Sequence, residues 1–148
     1  MSLTVLLDTG PLGLVTNPKP SELSRACSQW LQDLIQTDAR ILIPEIADYE
    51  LRRELIRANK LRGLSRLDTL ANTLEYLPLN TKAIRQAASL WAQARRQGQP
   101  TASDDTIDGD VILAAQAMTL GIENCMIATT NIGHLSRYCP AELWQNIV

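Results

Sequence analysis

Three acidic residues stand where alternating strands and helices would be able to gather them. Asp8 follows a short apolar, β-prone run at residues 4 to 7, and the succeeding Thr9-Gly10-Pro11 breaks that run. Glu50 lies on a helix expected over about 45 to 61, at the border of an apolar stripe formed by Ala47, Leu51, Leu55 and Ala58. Asp110 opens a helix whose small face, Ala114, Ala117 and Met118, continues directly from it. Each acid also has a purely structural reading: turn or helix capping for Asp8 and Asp110, and an ion-pair partner of Arg53 for Glu50. Asp104, Asp105, Asp108 and Asp110 crowd four acids into seven positions, a repulsion that water, protonation or a divalent metal relieves. Oxygen donors without a Cys/His set suit Mg²⁺ or Mn²⁺ rather than zinc. Two such ions can activate a water and stabilise the leaving oxygen of a phosphodiester.

Competing motifs fail on particular residues. Asp104, Thr106, Asp108 and Gly109 echo a calcium-binding loop, but its twelfth position is Ala115 where a bidentate Glu is required, and Pro100 breaks the entering helix. His134 is the single histidine, and no GxxxxGK[ST] or GxGxxG phosphate cradle is present. An aspartyl-phosphate site needs a second acid beside Asp8 and a late Lys, whereas no Lys follows Lys82. Cys27, Cys125 and Cys139 are odd in number and too widely spaced for a CxxC motif, so they read as reduced, buried thiols.

The elements that must position the acids follow from patterning. Residues 41 to 43 and 125 to 128 repeat the short apolar character of 4 to 7, and 76 to 79 makes a further short strand. Helical spacing marks 23 to 35 behind the N-cap Ser21, then 64 to 75, 84 to 94, and 111 to 120 before a stop at Gly121. Gly10 and Pro11 break the first strand, and Thr16 to Pro20 read as loop. Strands alternating with helices imply an α/β fold around a parallel sheet, in one domain spanning 1 to 148. In such sheets ligands gather at the carboxyl ends of the strands, where Asp8 and the segment Thr129 to Asn131 both stand.

The chain has 148 residues, 45% hydrophobic and 20% charged, with a net charge of -2. That balance excludes a disordered chain and removes bulk charge as a reason to propose nucleic-acid binding, so any such role rests on local patches. Eleven of the fourteen basic residues are Arg, and Arg52, Arg53, Arg57, Lys60, Arg62 and Arg66 cluster in one stretch. Arg suits bidentate phosphate contacts, although a solvated helix face has the same composition. No apolar run is long enough to span a membrane, and no basic leader precedes the first strand, so a cytoplasmic location is expected.

The segments Leu6-Leu-Asp-Thr9, Ile43-Pro44 through Tyr49-Glu50-Leu51, Asp110-Val-Ile-Leu-Ala-Ala-Gln-Ala117 and Ala128-Thr-Thr-Asn131 occur in that order. Together they resemble the PIN-domain ribonucleases, close to the VapC-like toxins of bacterial toxin–antitoxin pairs. The resemblance implies a three-layer α/β/α fold with a small parallel sheet, and a Mg²⁺- or Mn²⁺-dependent endoribonuclease. It also implies a homodimer inhibited by a cognate antitoxin protein. Asp8, Glu50 and Asp110 would bind the metal, Thr9 would orient Asp8 through its hydroxyl, and Thr129 and Asn131 would line the pocket. Where the family often carries a further acid, this chain has Asn131 and His134. Asp108 is then a substitute ligand or a helix cap, and His134 a phosphate or metal contact or a surface residue. The alternative is a non-catalytic PIN-like module that binds RNA or a partner protein.

Overall fold

In a computed structural model, which describes residues 2–19, 21–98, 109–133 and 135–148, five strands form one parallel sheet in the order β3-β2-β1-β4-β5. The strands are β1 (Thr4–Leu7), β2 (Arg40–Pro44), β3 (Glu75–Leu77), β4 (Cys125–Thr129) and β5 (Ala141–Leu143). Six helices accompany them: α1 (Thr9–Thr16), α2 (Glu22–Ile35), α3 (Glu45–Arg57), α4 (Leu61–Thr73), α5 (Thr81–Arg96) and α6 (Gly109–Thr119). The α/β three-layer expectation holds.

Strand pleating divides the core. Val5, Leu7, Ile41 and Ile43 face Leu12, Cys27, Leu31, Leu34 and Leu67 on the side covered by α1, α2 and α4. Leu6, Leu42 and Ile127 face Ala87, Leu90, Leu113 and Ala114 on the side covered by α5 and α6. Because both faces are covered, every residue of β1 is buried, which is why that strand reads as an unbroken apolar run. Burial pushes the Cys27 thiol up to about 12, consistent with a small hydrophobe; Cys125 and Cys139 are only partly buried. None of the described helices is long and apolar enough to cross a membrane.

Four details differ from the sequence reading. Residues 9 to 16 are helical: Asp8 caps α1, and Pro11 falls in its first turn, where a missing N–H costs nothing. The helix expected over 45 to 61 ends at Arg57 because Asn59 turns left-handed, φ 55°, so α4 begins at Leu61. β5 is an additional three-residue edge strand. On α6, Ala114 and Ala117 are buried as expected, but Met118 is 42% exposed and does not belong to the packed face.

The chain order reverses beside β1: β2 and β3 extend the sheet on one side, β4 and β5 on the other. The crevice beyond the carboxyl ends of β1 and β4 is therefore the switch point at which open α/β sheets bind ligands. Leu7 pairs with Ala128, so Asp8 and Thr129 emerge side by side there.

Candidate active site

Asp8 is held from three directions. Its backbone N–H donates to the Ala128 carbonyl at 2.9 Å. Its Oδ1 accepts from the Thr9 backbone N–H at 2.7 Å, and its Oδ2 accepts from the Thr129 hydroxyl at 2.8 Å. Capping and site formation are one arrangement here, since the carboxylate that caps α1 also lies at the sheet edge. Burial pushes the Asp8 carboxyl above its ordinary value, while the bonds from Thr129 and Thr9 pull it back.

Glu50 comes from the middle of α3, and its Oε1 accepts from the Thr9 hydroxyl at 3.1 Å. Thr9 thus spans two acids, its N–H on Asp8 and its hydroxyl on Glu50. The resemblance assigned that hydroxyl to Asp8; the structure gives Asp8 the Thr129 hydroxyl instead. Thr9 is the first residue of α1, so its N–H serves the Asp8 cap while its hydroxyl bonds Glu50.

Gly109 completes the enclosure. A Cβ at this position would lie 2.8 Å from the Glu50 carboxyl carbon and 2.9 Å from its Oε1, so the carboxylate rests against the bare start of α6. The next residue, half-buried Asp110, belongs to the same neighbourhood. Burial, the largest effect, raises the Glu50 carboxyl above its usual value; the Thr9 hydroxyl and Arg53 lower it, and the charges of Asp8 and Asp110 raise it. Among the described residues no basic side chain lies within 4 Å of Asp8 or Glu50. The Glu50–Arg53 ion pair considered from sequence does not form.

The helices carrying these acids are fixed from behind. Gln116, buried on α6, accepts from the Ile46 N–H of α3 at 3.4 Å and donates to the Leu77 carbonyl at 3.1 Å. Asp48 accepts from the Tyr76 hydroxyl at 2.5 Å and from Arg52 at 3.0 Å. On the other flank, a Cβ on Gly10 would lie 2.5 Å from the Thr130 Oγ1, so α1 approaches the β4 exit closely.

The remaining candidates fare unequally. Thr129 is 1% exposed and bonded to Asp8. Asn131 is exposed, and its side chain accepts from the Gly133 N–H at 3.1 Å, which turns it onto its own loop. Asp108 and His134, like Asp104 and Asp105, lie outside the described residues. Sequence reasoning missed Gly10 and Gly109; the available signal is that each glycine stands at the start of a helix beside a candidate acid.

As arranged, no three His, Cys, Asp or Glu side chains among the described residues are grouped to hold one metal ion. The chemistry of the donor set nevertheless fits a hard divalent cation. It consists of carboxylate oxygens without thiol or imidazole, and the charges of Asp8 and Asp110 both act against ionisation of Glu50.

A PIN-domain family model matches residues 5–137. The chain belongs to the PIN-domain family. Its fold is shared with chains in three solved VapBC structures. In VapBC2 from Rickettsia felis bound to a DNA fragment from its promoter, identity is 21% over 96% of this chain and 99% of that one, with a TM-score of 0.74. DNA-bound VapBC from Salmonella typhimurium gives 21% identity, 96% and 98% coverage and a TM-score of 0.70. VapBC-1 from nontypeable Haemophilus influenzae gives 16%, 97% and 100%, and 0.66. No curated protein matches the sequence significantly. The crevice at the β1/β4 switch point is thus the carboxylate-bearing edge of a PIN domain.

Proposed function

We propose that this PIN domain is a metal-dependent endoribonuclease and the toxin of a toxin–antitoxin pair, acting in the cytoplasm on RNA and restrained by a cognate antitoxin. The observation that carries the enzymatic reading is that Thr9 bonds both Asp8 and Glu50 while Glu50 rests against Gly109, with the charge of Asp110 acting on Glu50, which supports a shared carboxylate crevice. Membership of the family and the likeness to VapBC chains support the toxin reading. A homodimer is part of the same proposal.

In this reading Asp8, Glu50 and Asp110 would hold Mg²⁺ or Mn²⁺. When bound, such an ion supplies an activated water and charge stabilisation for the leaving oxygen of a phosphodiester. The protein's own contribution is preorganisation. Thr129 and the Thr9 N–H fix the two Asp8 oxygens, the Thr9 hydroxyl fixes Glu50, and Gln116 holds α3 against α6. Burial disfavours the ionised carboxylates without a cation, so a divalent ion would relieve both desolvation and repulsion.

Asp8→Asn and Asp110→Asn should abolish Mg²⁺- or Mn²⁺-dependent RNA cleavage while circular dichroism and melting show an intact fold. Equal cleavage by wild type and both variants would reject the assignment. The Asn131 side chain, folded onto Gly133 where the family often has an acid, favours a second reading as a non-catalytic RNA-binding module. Retained RNA binding with no hydrolysis in any divalent ion would select it.

A further inference from the structure

We infer that Tyr49 and Arg53 form a docking platform for one unpaired nucleotide of single-stranded RNA at the lip of the carboxylate crevice, an inference that rests on the nuclease reading and names its substrate class. Tyr49 immediately precedes Glu50 on α3 and is 49% exposed, so its ring is accessible from solvent beside the crevice. The Arg53 guanidinium lies over this ring, 5.2 Å from its centroid.

The guanidiniums of α3 have different partners. Arg52 bonds to Asp48 at 3.0 Å and Asp68 at 2.7 Å, and Arg57 bonds to Glu54 at 2.7 Å. Arg53 has no carboxylate within 4 Å among the described residues; its charge acts on Glu50 through space only, which leaves its guanidinium open to an anion from outside. It stands three residues beyond Glu50, roughly 4.5 Å along the helix axis. A phosphate on Arg53 would therefore enter beside the acids, and its base would be within reach of the half-exposed Tyr49 ring. This pairing of a stackable ring with a phosphate-binding fork is how proteins hold single strands, because a base in a duplex has no free face to offer. The other ring-guanidinium pair, Trp91 with Arg95 at 4.7 Å, lies on α5, which carries none of the candidate acids.

The test separates binding from cleavage. Binding of a short fluorescent single-stranded RNA and of a fully paired duplex is measured in EDTA with the full chain, and steady-state cleavage is measured in Mn²⁺. Tyr49→Ala should weaken single-strand binding and raise KM by about 10-fold or more, leave kcat within about twofold, and leave duplex binding unchanged. Tyr49→Phe should retain wild-type binding. Arg53→Ala should weaken binding and reduce its salt slope by about one phosphate contact. Single-strand binding and KM within about twofold of wild type in Tyr49→Ala would overturn the platform, as would equal losses on duplex. A change in oligomeric state with unchanged RNA binding would assign this face to a protein interface and also overturn it. Tyr49-dependent binding without cleavage would support the platform while rejecting the nuclease reading; cleavage indifferent to Tyr49 would do the reverse.

Discussion

Replacing Gly109 by Ala should disable the site without unfolding the protein. The added Cβ would lie 2.8 Å from the Glu50 carboxyl carbon, against an ordinary carbon contact of about 3.5 Å. The carboxylate must retreat by about 0.7 Å, and its Oε2, nearer still, by more. Groups that act on a reacting centre tolerate about 0.5 Å of displacement, and a misplacement of about 1 Å costs on the order of 100-fold in rate. Stability moves little, because Gly109 is not left-handed, Ala favours the helix, and the less flexible unfolded chain contributes about 0.4–1 kcal/mol in the opposite direction to the crowding. Gly109→Ala is therefore expected to melt within a few degrees of wild type and to cleave RNA about 100-fold more slowly in saturating Mn²⁺. Cleavage within about threefold of wild type would refute the reasoning that Gly109 seats Glu50.

Three further outcomes follow from named contacts. Asp8→Asn keeps an oxygen to cap α1 but removes a charge whose burial is unfavourable. Because the folded carboxyl sits above 3.8, the native state binds more protons than the unfolded chain, and wild-type stability falls as pH rises from about 4 through the raised value. The variant should melt a few degrees above wild type at pH 7, with the gap closing near pH 4; a less stable variant at pH 7 would contradict this. Thr129→Val removes the 2.8 Å bond to Asp8, costs about 1–3 kcal/mol in denaturant titration, and should move the acidic limb of the pH–rate profile upward; an unmoved limb would count against a role for Thr129 in tuning Asp8. Tyr76→Phe frees the Asp48 carboxylate of its 2.5 Å hydroxyl bond. It should lower stability by about 1.5–3 kcal/mol with cleavage per folded molecule within about twofold, and a selective loss of kcat would show that this bond shapes the site.

What could be read from sequence divides along physical lines. β1, β2 and β4 announce themselves because strands buried on both faces need continuous apolar runs, and the position of Asp8 follows from the end of one of them. α1 is concealed because Gly10 and Pro11 ordinarily break structure, yet the first turn of a helix tolerates both. β5 is too short and too exposed at the sheet edge to carry a pattern. The partner of the Thr9 hydroxyl and the seat of Glu50 on Gly109 join residues 41 and 59 positions apart. Such contacts depend on how α1, α3 and α6 converge, which local periodicity does not encode.

The most direct examination of the central claim is anomalous diffraction from crystals of the full chain equilibrated with Mn²⁺. A single strong peak coordinated by Asp8 together with Glu50 or Asp110, and missing in Asp8→Asn crystals, is the predicted result. Manganese bound only elsewhere, with this crevice holding none at saturating concentration, would contradict the account.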